Sequence, residues 1–278
     1  MEQAAQEGAD LVVFRSRFTR LSPDTLNWNG EAVAWQMAQA EVVTEGESVQ
    51  AMQKLAAQLG LHVVFGMTER HPERAEVLFN SAVLLGPDGL LGVYRKVHQP
   101  GDEKHVYYPG SDFPVFSTPN WSYWYVDLLR QSVRKALASW LALKGADIMI
   151  MPTAWGYAGD GSAGDADPMV DSYTLFGRVR ALENQCWMIE SNLCGQHGNL
   201  HYHGHSRIID PLGNIVADSG TTEGMAIARV EVQSAILRAR SSDYLGYHFL
   251  KDYVPVQAPP SPLTVHNRHA RPLGENHE

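Results

Sequence analysis

Apolar and polar positions alternate between strand-like and helix-like periods along most of this chain. From Leu11 to Phe14 the apolar residues are continuous, as in a strand covered on both faces. Gly8, just before it, is placed as a helix stop. From Glu47 to Leu59 the residues Val49, Met52, Leu55, Ala56 and Leu59 fall at helical spacing. Thr44 and Glu47 have the spacing of a capping box there, and Gly60 that of a stop. Leu61 to Met67 predicts the next strand. Leu78 to Leu85 and Leu90 to Arg95 flank Gly86-Pro87-Asp88-Gly89, which predicts a hairpin.

The second half repeats this scheme. A helix ends near Lys144-Gly145, and Asp147 to Met151 reads as a strand. Met169 to Asn184 predicts a helix and Cys186 to Ser191 a strand. Ser206 to Asp210 and Ile215 to Ala217 flank a second turn, Pro211-Leu212-Gly213-Asn214. Gly224 to Val232 predicts a last strand. Strands alternate with helices while hairpins mix the strand directions, so the fold class is α/β, with layered sheets buried by helices. The halves echo each other, since Gly-Ala-Asp opens a strand both at Gly8 and at Gly145. The echo points to two similar sheets, each with its own helical layer. The predicted domain spans residues 1–254. Residues 255–278 form a Pro-rich tail expected to be extended or disordered.

Composition narrows the function classes. The 278 residues suit one large domain or two small ones, and 44% hydrophobic content supplies a core. A net charge of -9 argues against a nucleic-acid surface. No apolar run has the length of a membrane span. Two cysteines, Cys186 and Cys194, fit a reducing compartment better than a disulfide scaffold. With a polar amino terminus and no visible signal peptide, the expected location is cytoplasmic.

Five segments carry a family resemblance. They are GADLVVF at Gly8, YRKVHQP at Tyr94, YYPGSDFPVFSTP at Tyr107, GADIMIMPTAW at Gly145, and RALENQ at Arg180 followed by GHSRIIDPLGNIVAD at Gly204. In order and approximate spacing the chain resembles the carbon–nitrogen hydrolases of the nitrilase superfamily from Gly8 to about Val232. The resemblance implies a four-layer α-β-β-α sandwich that commonly pairs into homodimers or larger homo-oligomers. It also implies acyl transfer to a cysteine on a small amide, carbamoyl or nitrile substrate, with no metal or organic cofactor. In that chemistry a glutamate is the general base, a lysine stabilises the oxyanion, and water hydrolyses a thioester.

Lys96 matches the family lysine, although a lysine at a strand end is ordinarily just solvated. Glu103 matches a second glutamate that helps position substrate, although loop glutamates are usually solvated too. The other two positions depart from the family. The base is expected in F-P-E after the first strand, but Phe14 is followed by Arg15-Ser16-Arg17, so Ser16 stands at the glutamate position. The nucleophile is expected in a run ending I-C-Y-D, but the chain reads NWSYWYVDLLRQ from Asn120. Aligned without gaps, Leu128 stands at the cysteine position; a gapped reading puts Tyr125 there. None of these residues forms the thioester or takes its proton as a carboxylate does.

Both departures are abrupt, with family sequence on either side, and the genetic code admits a common cause. Phe14 onward, written TTC CGG AGT CGT TTT ACC CGG CT, becomes F-P-E-S-F-Y-P-A when one C is restored after TTC. Asn120 onward, read one base later, admits I-G-L-I-G-M-L-I-C-Y-D-K-A-F, with the frame returning near Arg134. The hypothesis is that compensated insertions and deletions replaced both windows. Sequencing the coding DNA tests it, and codons that cannot be shifted into these readings sink it. The family's first strand, which precedes the helix leading into Gly8, is missing as well. The start at Met1 is then read as an internal methionine of a longer frame.

Other residues carry plainer readings. His197, His201, His203 and His205 cluster, and His203 and His205 are spaced to share a strand face, but no carboxylate or cysteine completes a metal set in that run. Cys194 reads as a buried structural thiol rather than a substitute nucleophile. Glu183 reads as a helix ion pair with Arg180 or Arg178. Trp155, just past a strand end, fits core packing and substrate-pocket lining equally. Gly159 to Gly164 lacks the lysine of a phosphate loop and reads as a surface connection. A catalytically dead homologue serving as a binding or assembly subunit is the alternative to a hydrolase.

Overall fold

The computed structural model describes residues 1–15, 30–99, 101–118, 122–125, 135–198 and 200–241. The first half comprises α1 (Glu2–Gln6), β1 (Leu11–Val13), α2 (Gly30–Gln39), α3 (Glu47–Leu59), β2 (His62–Arg70), β3 (Leu78–Gly86) and β4 (Gly89–Arg95). Its strands form one sheet in the order β1-β2-β3-β4, parallel between β1 and β2 and antiparallel thereafter. The predicted hairpin is present, with Gly86 paired to Gly89 across the turn. The strand predicted to end at Met67 runs on to Arg70, because Thr68, Glu69 and Arg70 stay in register with Asn80, Phe79 and Leu78.

The second half comprises β5 (Val115–Ser117), β6 (Ser122–Tyr125), α4 (Lys135–Leu143), β7 (Ile148–Pro152), α5 (Pro168–Asn184), β8 (Trp187–Ser191), β9 (Cys194–His197), β10 (Leu200–His203), β11 (Arg207–Ile209), β12 (Ile215–Asp218) and α6 (Val232–Ser241). Six of these strands form a sheet in the order β12-β11-β8-β7-β6-β5, and β9 pairs with β10 as a separate hairpin. β6, β7 and β8 run parallel, so the connections through α4 and α5 are crossovers that lay helices on the sheet.

Strand alternation sorts the side chains into three apolar layers. Val63, Phe65 and Met67 turn outward against Val49, Met52 and Ala56 of α3. Val64, Ala82, Leu84 and Tyr94 turn inward and meet Ile148, Ile150 and Trp187 of the second sheet. Met149, Met151 and Met188 turn to the far side, against Leu141 of α4 and Tyr173 and Ala181 of α5. The order of layers is helix, sheet, sheet, helix, as expected of the α-β-β-α sandwich. Fully burying a side chain such as Phe65 or Met149 contributes about 1.5–3 kcal/mol, so each layer is a substantial source of stability.

Three local expectations are corrected. The capping box at Thr44 does not form; Gly46 is the N-cap of α3, and the Glu41 carboxylate accepts from the Ser48 N–H (3.0 Å) and hydroxyl (2.6 Å) instead. Gly60 ends the helix in the left-handed region, φ 68°, as predicted. Residues 224–231, expected as a strand, make no sheet pairing among the described residues. His203 and His205 do not share a strand face, because β10 ends at His203 and His205 has a positive φ of 55°. The tail at 255–278 lies outside the described residues.

Candidate active site

β4 runs Gly-Leu-Leu-Gly-Val-Tyr-Arg and delivers Lys96 immediately after its last residue. The Lys96 N–H donates to the Asn80 carbonyl on β3 (2.8 Å), which extends the ladder one residue further. The Lys96 carbonyl accepts from the Gly110 N–H (2.9 Å) and from the Gln99 side-chain amide (2.8 Å). Those two bonds bring Gln99 and Gly110 back against the strand end. Gly110 is required at this approach, since a Cβ there would lie 2.1 Å from the Arg95 carbonyl oxygen. Between Gln99 and Gly110, a 3-10 turn at Gly101–His105 presents Glu103.

The result is an ion pair. Lys96 Nζ lies 3.0 Å from Glu103 Oε2, with the lysine side chain fully buried and the glutamate 13% exposed. The Asn80 side-chain amide donates to the same carboxylate oxygen at 3.4 Å. A buried ammonium held by a carboxylate and a strand end is a fixed positive charge in a poorly solvated place, the arrangement that stabilises an oxyanion. Beneath it, Arg95 is clamped on the buried Glu69 carboxylate (Nη2 to Oε1, 2.6 Å), and that contact raises the pKa of the guanidinium.

Of the five candidate residues, Lys96 and Glu103 are brought together. Ser16 and Leu128 lie outside the described residues. β1 is parallel to β2, as β4 is through their shared antiparallel partner β3, so the described chain arrives at Arg15 at the same end of the sheet as Lys96. Trp155 stands apart, in the layer against α5. It is buried, edge-on to Tyr173 (5.5 Å) and tilted against Phe176 (6.3 Å). Asn192, just after β8, holds Trp155 by both backbone groups: its Oδ1 accepts from the Trp155 N–H (2.6 Å), and its Nδ2 donates to the Trp155 carbonyl (3.0 Å) and to Gly204 (2.9 Å).

A family model for the carbon-nitrogen hydrolases matches residues 1–240. The chain belongs to the carbon–nitrogen hydrolase family. Among curated relatives, a probable nitrilase of Schizosaccharomyces pombe is 30% identical over 218 residues, covering 78% of this chain and 75% of the relative. The omega-amidase NIT2-A of Xenopus laevis is 29% identical over 246 residues, covering 84% and 80%. Of solved structures, Nit3 of Saccharomyces cerevisiae superposes with a TM-score of 0.72 at 24% identity, over 86% of this chain and 83% of that one. A carbon-nitrogen hydrolase of Helicobacter pylori superposes with a TM-score of 0.73 at 22% identity, over 90% and 86%. These likenesses confirm the nitrilase-type fold.

The chain also carries a buried polar group that its sequence did not single out. Glu190, on β8, is 1% exposed and points at α5, where a Cβ on Gly177 would sit 2.2 Å from its Oε1. Burial pushes this carboxyl up to about 8, opposed by Arg207 and reinforced by Asp218. Only the register of β8 opposite Arg207 and the glycine at 177 hint at it in the sequence. Nearby, burial pushes His203 down to about 4, with His205 and Arg207 adding to the effect. His205 bridges Asp165 (3.1 Å) and Asp218 (3.0 Å). Among the described residues no cluster of His, Cys, Asp and Glu is arranged to hold a metal ion. Glu183 pairs with Arg180 on α5. Cys186 is buried and its thiol is pushed up to about 12. Cys194, expected to be buried, is half-exposed, because β9 brings it to a cavity wall; desolvation and Glu223 still push its thiol upward. No helix among the described residues is long and apolar enough to cross a membrane.

Proposed function

We propose that this hydrolase-family chain retains the half of an acyl-transfer site that holds a substrate carbonyl and lacks the half that cleaves it. The observation that carries the reading is the buried Lys96–Glu103 pair at the end of β4, set against serine at position 16 and leucine at position 128. An amide oxygen facing Lys96 Nζ is polarised by a fixed charge that water does not screen. Hydrolysis then needs a thiolate to attack the carbon and a carboxylate to take the thiol proton. Ser16 and Leu128 supply neither. The two remaining thiols are held in the neutral, weakly nucleophilic form. The substrate class is a small linear amide, a carbamoyl compound or a nitrile. The named omega-amidases among the relatives favour the amide.

A second reading, a binding or assembly subunit, draws support from exposed apolar side chains on the outer helices. Leu175 and Leu182 of α5, Leu212 in the β11–β12 turn, and Leu237 of α6 are all open to solvent. Leu182 and Leu212 adjoin, since a Cβ on Gly213 would lie 3.2 Å from the Leu182 Cβ, and exposed leucines so placed favour pairing as a homodimer or larger homo-oligomer. Calorimetry with a linear ω-amide such as succinamate tests the main reading. The expected result is a binding heat that Lys96→Met abolishes, with no ammonia released. Equal binding by Lys96→Met overturns the assignment of the site, and ammonia release by the unaltered chain overturns the assignment as inactive.

A further inference from the structure

Glu190 is buried beside a cation that it does not bind. Directly opposite residues of a sheet point to the same side, so the register Glu190–Arg207–Asp218 across β8, β11 and β12 sets a carboxyl, a guanidinium and a second carboxyl in one row. Met188, two residues before Glu190, packs in the layer under α5, so the row faces that helix. Arg207 is buried and turned away from Glu190. Its Nε donates to Asp218 (2.7 Å), its Nη1 donates to the Thr174 hydroxyl on α5 (2.6 Å), and its guanidinium carbon lies 5.3 Å from the centre of the Tyr173 ring. Among the described residues neither Glu190 oxygen has a partner in hydrogen-bond geometry, and neither has the Tyr173 hydroxyl.

A carboxyl buried without donors favours its protonated form, and an ionised one seeks the nearest cation. From β7 Glu190 meets Met151, which carries no charge. From β11 it meets Arg207, with Asp218 of β12 beyond. From α5 it meets Tyr173, whose ring stands 4.8 Å from that of His203 on β10. Burial holds the Tyr173 hydroxyl and the His203 ring neutral, and Arg180, further along α5, is paired with Glu183. Arg207 is therefore the cation that an ionised Glu190 draws on.

Cβ atoms of directly opposite residues lie about 4.5–5.5 Å apart, so rotation of the Arg207 side chain alone brings a guanidinium nitrogen to the Glu190 carboxylate. The bond to Thr174 is the one that yields. Thr174 offers a neutral acceptor, whereas Asp218 is charged and is fixed from its other side by His205 and the Gly220 N–H. We propose that Glu190 is a buried proton switch on the docking of α5: protonated, it leaves Arg207 tied to Thr174; ionised, it releases its proton to solvent and draws Arg207 Nη1 off Thr174 onto itself. The row Glu190–Arg207–Asp218 then changes from neutral to singly negative, and α5 loses this tie to β11. Burial pushes the carboxyl up to about 8, so the tie is present at neutral pH and is lost as pH rises past that value.

Amide hydrogen exchange of the full chain, corrected for its intrinsic dependence on pH, tests this between about pH 6.5 and 9.5. The expected result is a loss of protection of at least about fivefold in the fragment covering residues 168–177, with unchanged protection at 62–70 and 78–86 in the first sheet. Glu190→Gln, which keeps the shape and cannot ionise, is expected to give a flat profile, and so is Glu190→Met. Thr174→Val, which lacks the acceptor from the start, is expected to be less protected at neutral pH and to change by under about twofold. A flat profile for the unaltered chain overturns the proposal, as does the full loss in either neutral variant. An equal loss in the first sheet is general destabilisation and overturns it. The full loss in Thr174→Val shows that the tie to Thr174 is not the link, and overturns it too.

Discussion

Replacing Glu103 by Gln removes the carboxylate from a fully buried ammonium. At 3.0 Å, with an effective dielectric constant of about 20, the attraction in the Lys96–Glu103 pair is about 5 kcal/mol. Most of that offsets the cost of taking both charges out of water, but the lysine stays buried in the variant and its desolvation cost remains. Breaking a buried pair from one side costs about 3–5 kcal/mol. Glutamine keeps the shape and the contact with Asn80, and the carboxylate was 13% exposed, so the low end of that range is expected. The double variant Lys96→Met, Glu103→Gln removes both charges and is expected to recover part of the loss. Urea unfolding followed by circular dichroism, with the m-value checked for constancy, reads all four members of the cycle. A Glu103→Gln cost under about 1 kcal/mol is the behaviour of a surface ion pair and refutes the buried-charge argument. A double variant less stable than Glu103→Gln refutes it as well.

Glu190→Gln is expected to stabilise the chain at pH 8 and leave it little changed at pH 4. The folded carboxyl titrates near 8 and the unfolded one near 4.5, so the folded state binds more protons between those values and stability falls as pH rises through the window. The distance between those two values sets a ceiling of about 5 kcal/mol, and unfolding curves of both proteins across pH 4–9 that stay parallel contradict it. Gly110→Ala is expected to cost about 1–3 kcal/mol, because its methyl meets the Arg95 carbonyl at 2.1 Å; an unchanged urea midpoint refutes the close approach. Ser16→Glu with Leu128→Cys alone is expected to leave the chain inactive, while restoring both frame-shifted windows recovers amide hydrolysis. Activity from the two point changes contradicts the frame hypothesis, since the flanking residues would then be sound.

The layers were legible in the sequence because burial on both sides imposes a visible pattern. Leu11 to Phe14 and Ile148 to Met151 are apolar without a break, and each became a strand between two apolar layers. Gly60 and Gly86-Pro87-Asp88-Gly89 showed where chain direction changes, since few other residues accept those turns. What the sequence hid depends on tertiary neighbours. Residues 224–231 carry a strand's alternation, but a strand also needs a bonded partner, which alternation cannot report. The α3 cap went to Glu41 rather than Thr44 because the chain turns at 42–46 and brings that carboxylate to Ser48. Lys96 and Glu103 were found through their motif. Their contact was not deducible from spacing, because it rests on Gly110 and Gln99 folding the loop back on the Lys96 carbonyl. Glu190 escaped notice because a lone glutamate in a strand reads as an outward-facing residue until α5, opened by Gly177, covers it.

The central proposal is chemical: Lys96 keeps its carboxylate partner Glu103, while serine and leucine at positions 16 and 128 give a substrate no acyl–sulfur bond to pass through. Intact-protein mass spectrometry after incubation with a linear ω-amide, with released ammonia assayed in the same tube, addresses that claim most directly. The expected outcome is an unchanged protein mass and no ammonia above the protein-free blank. An added acyl mass mapping to Cys186 or Cys194, or ammonia produced in proportion to the protein, would contradict it.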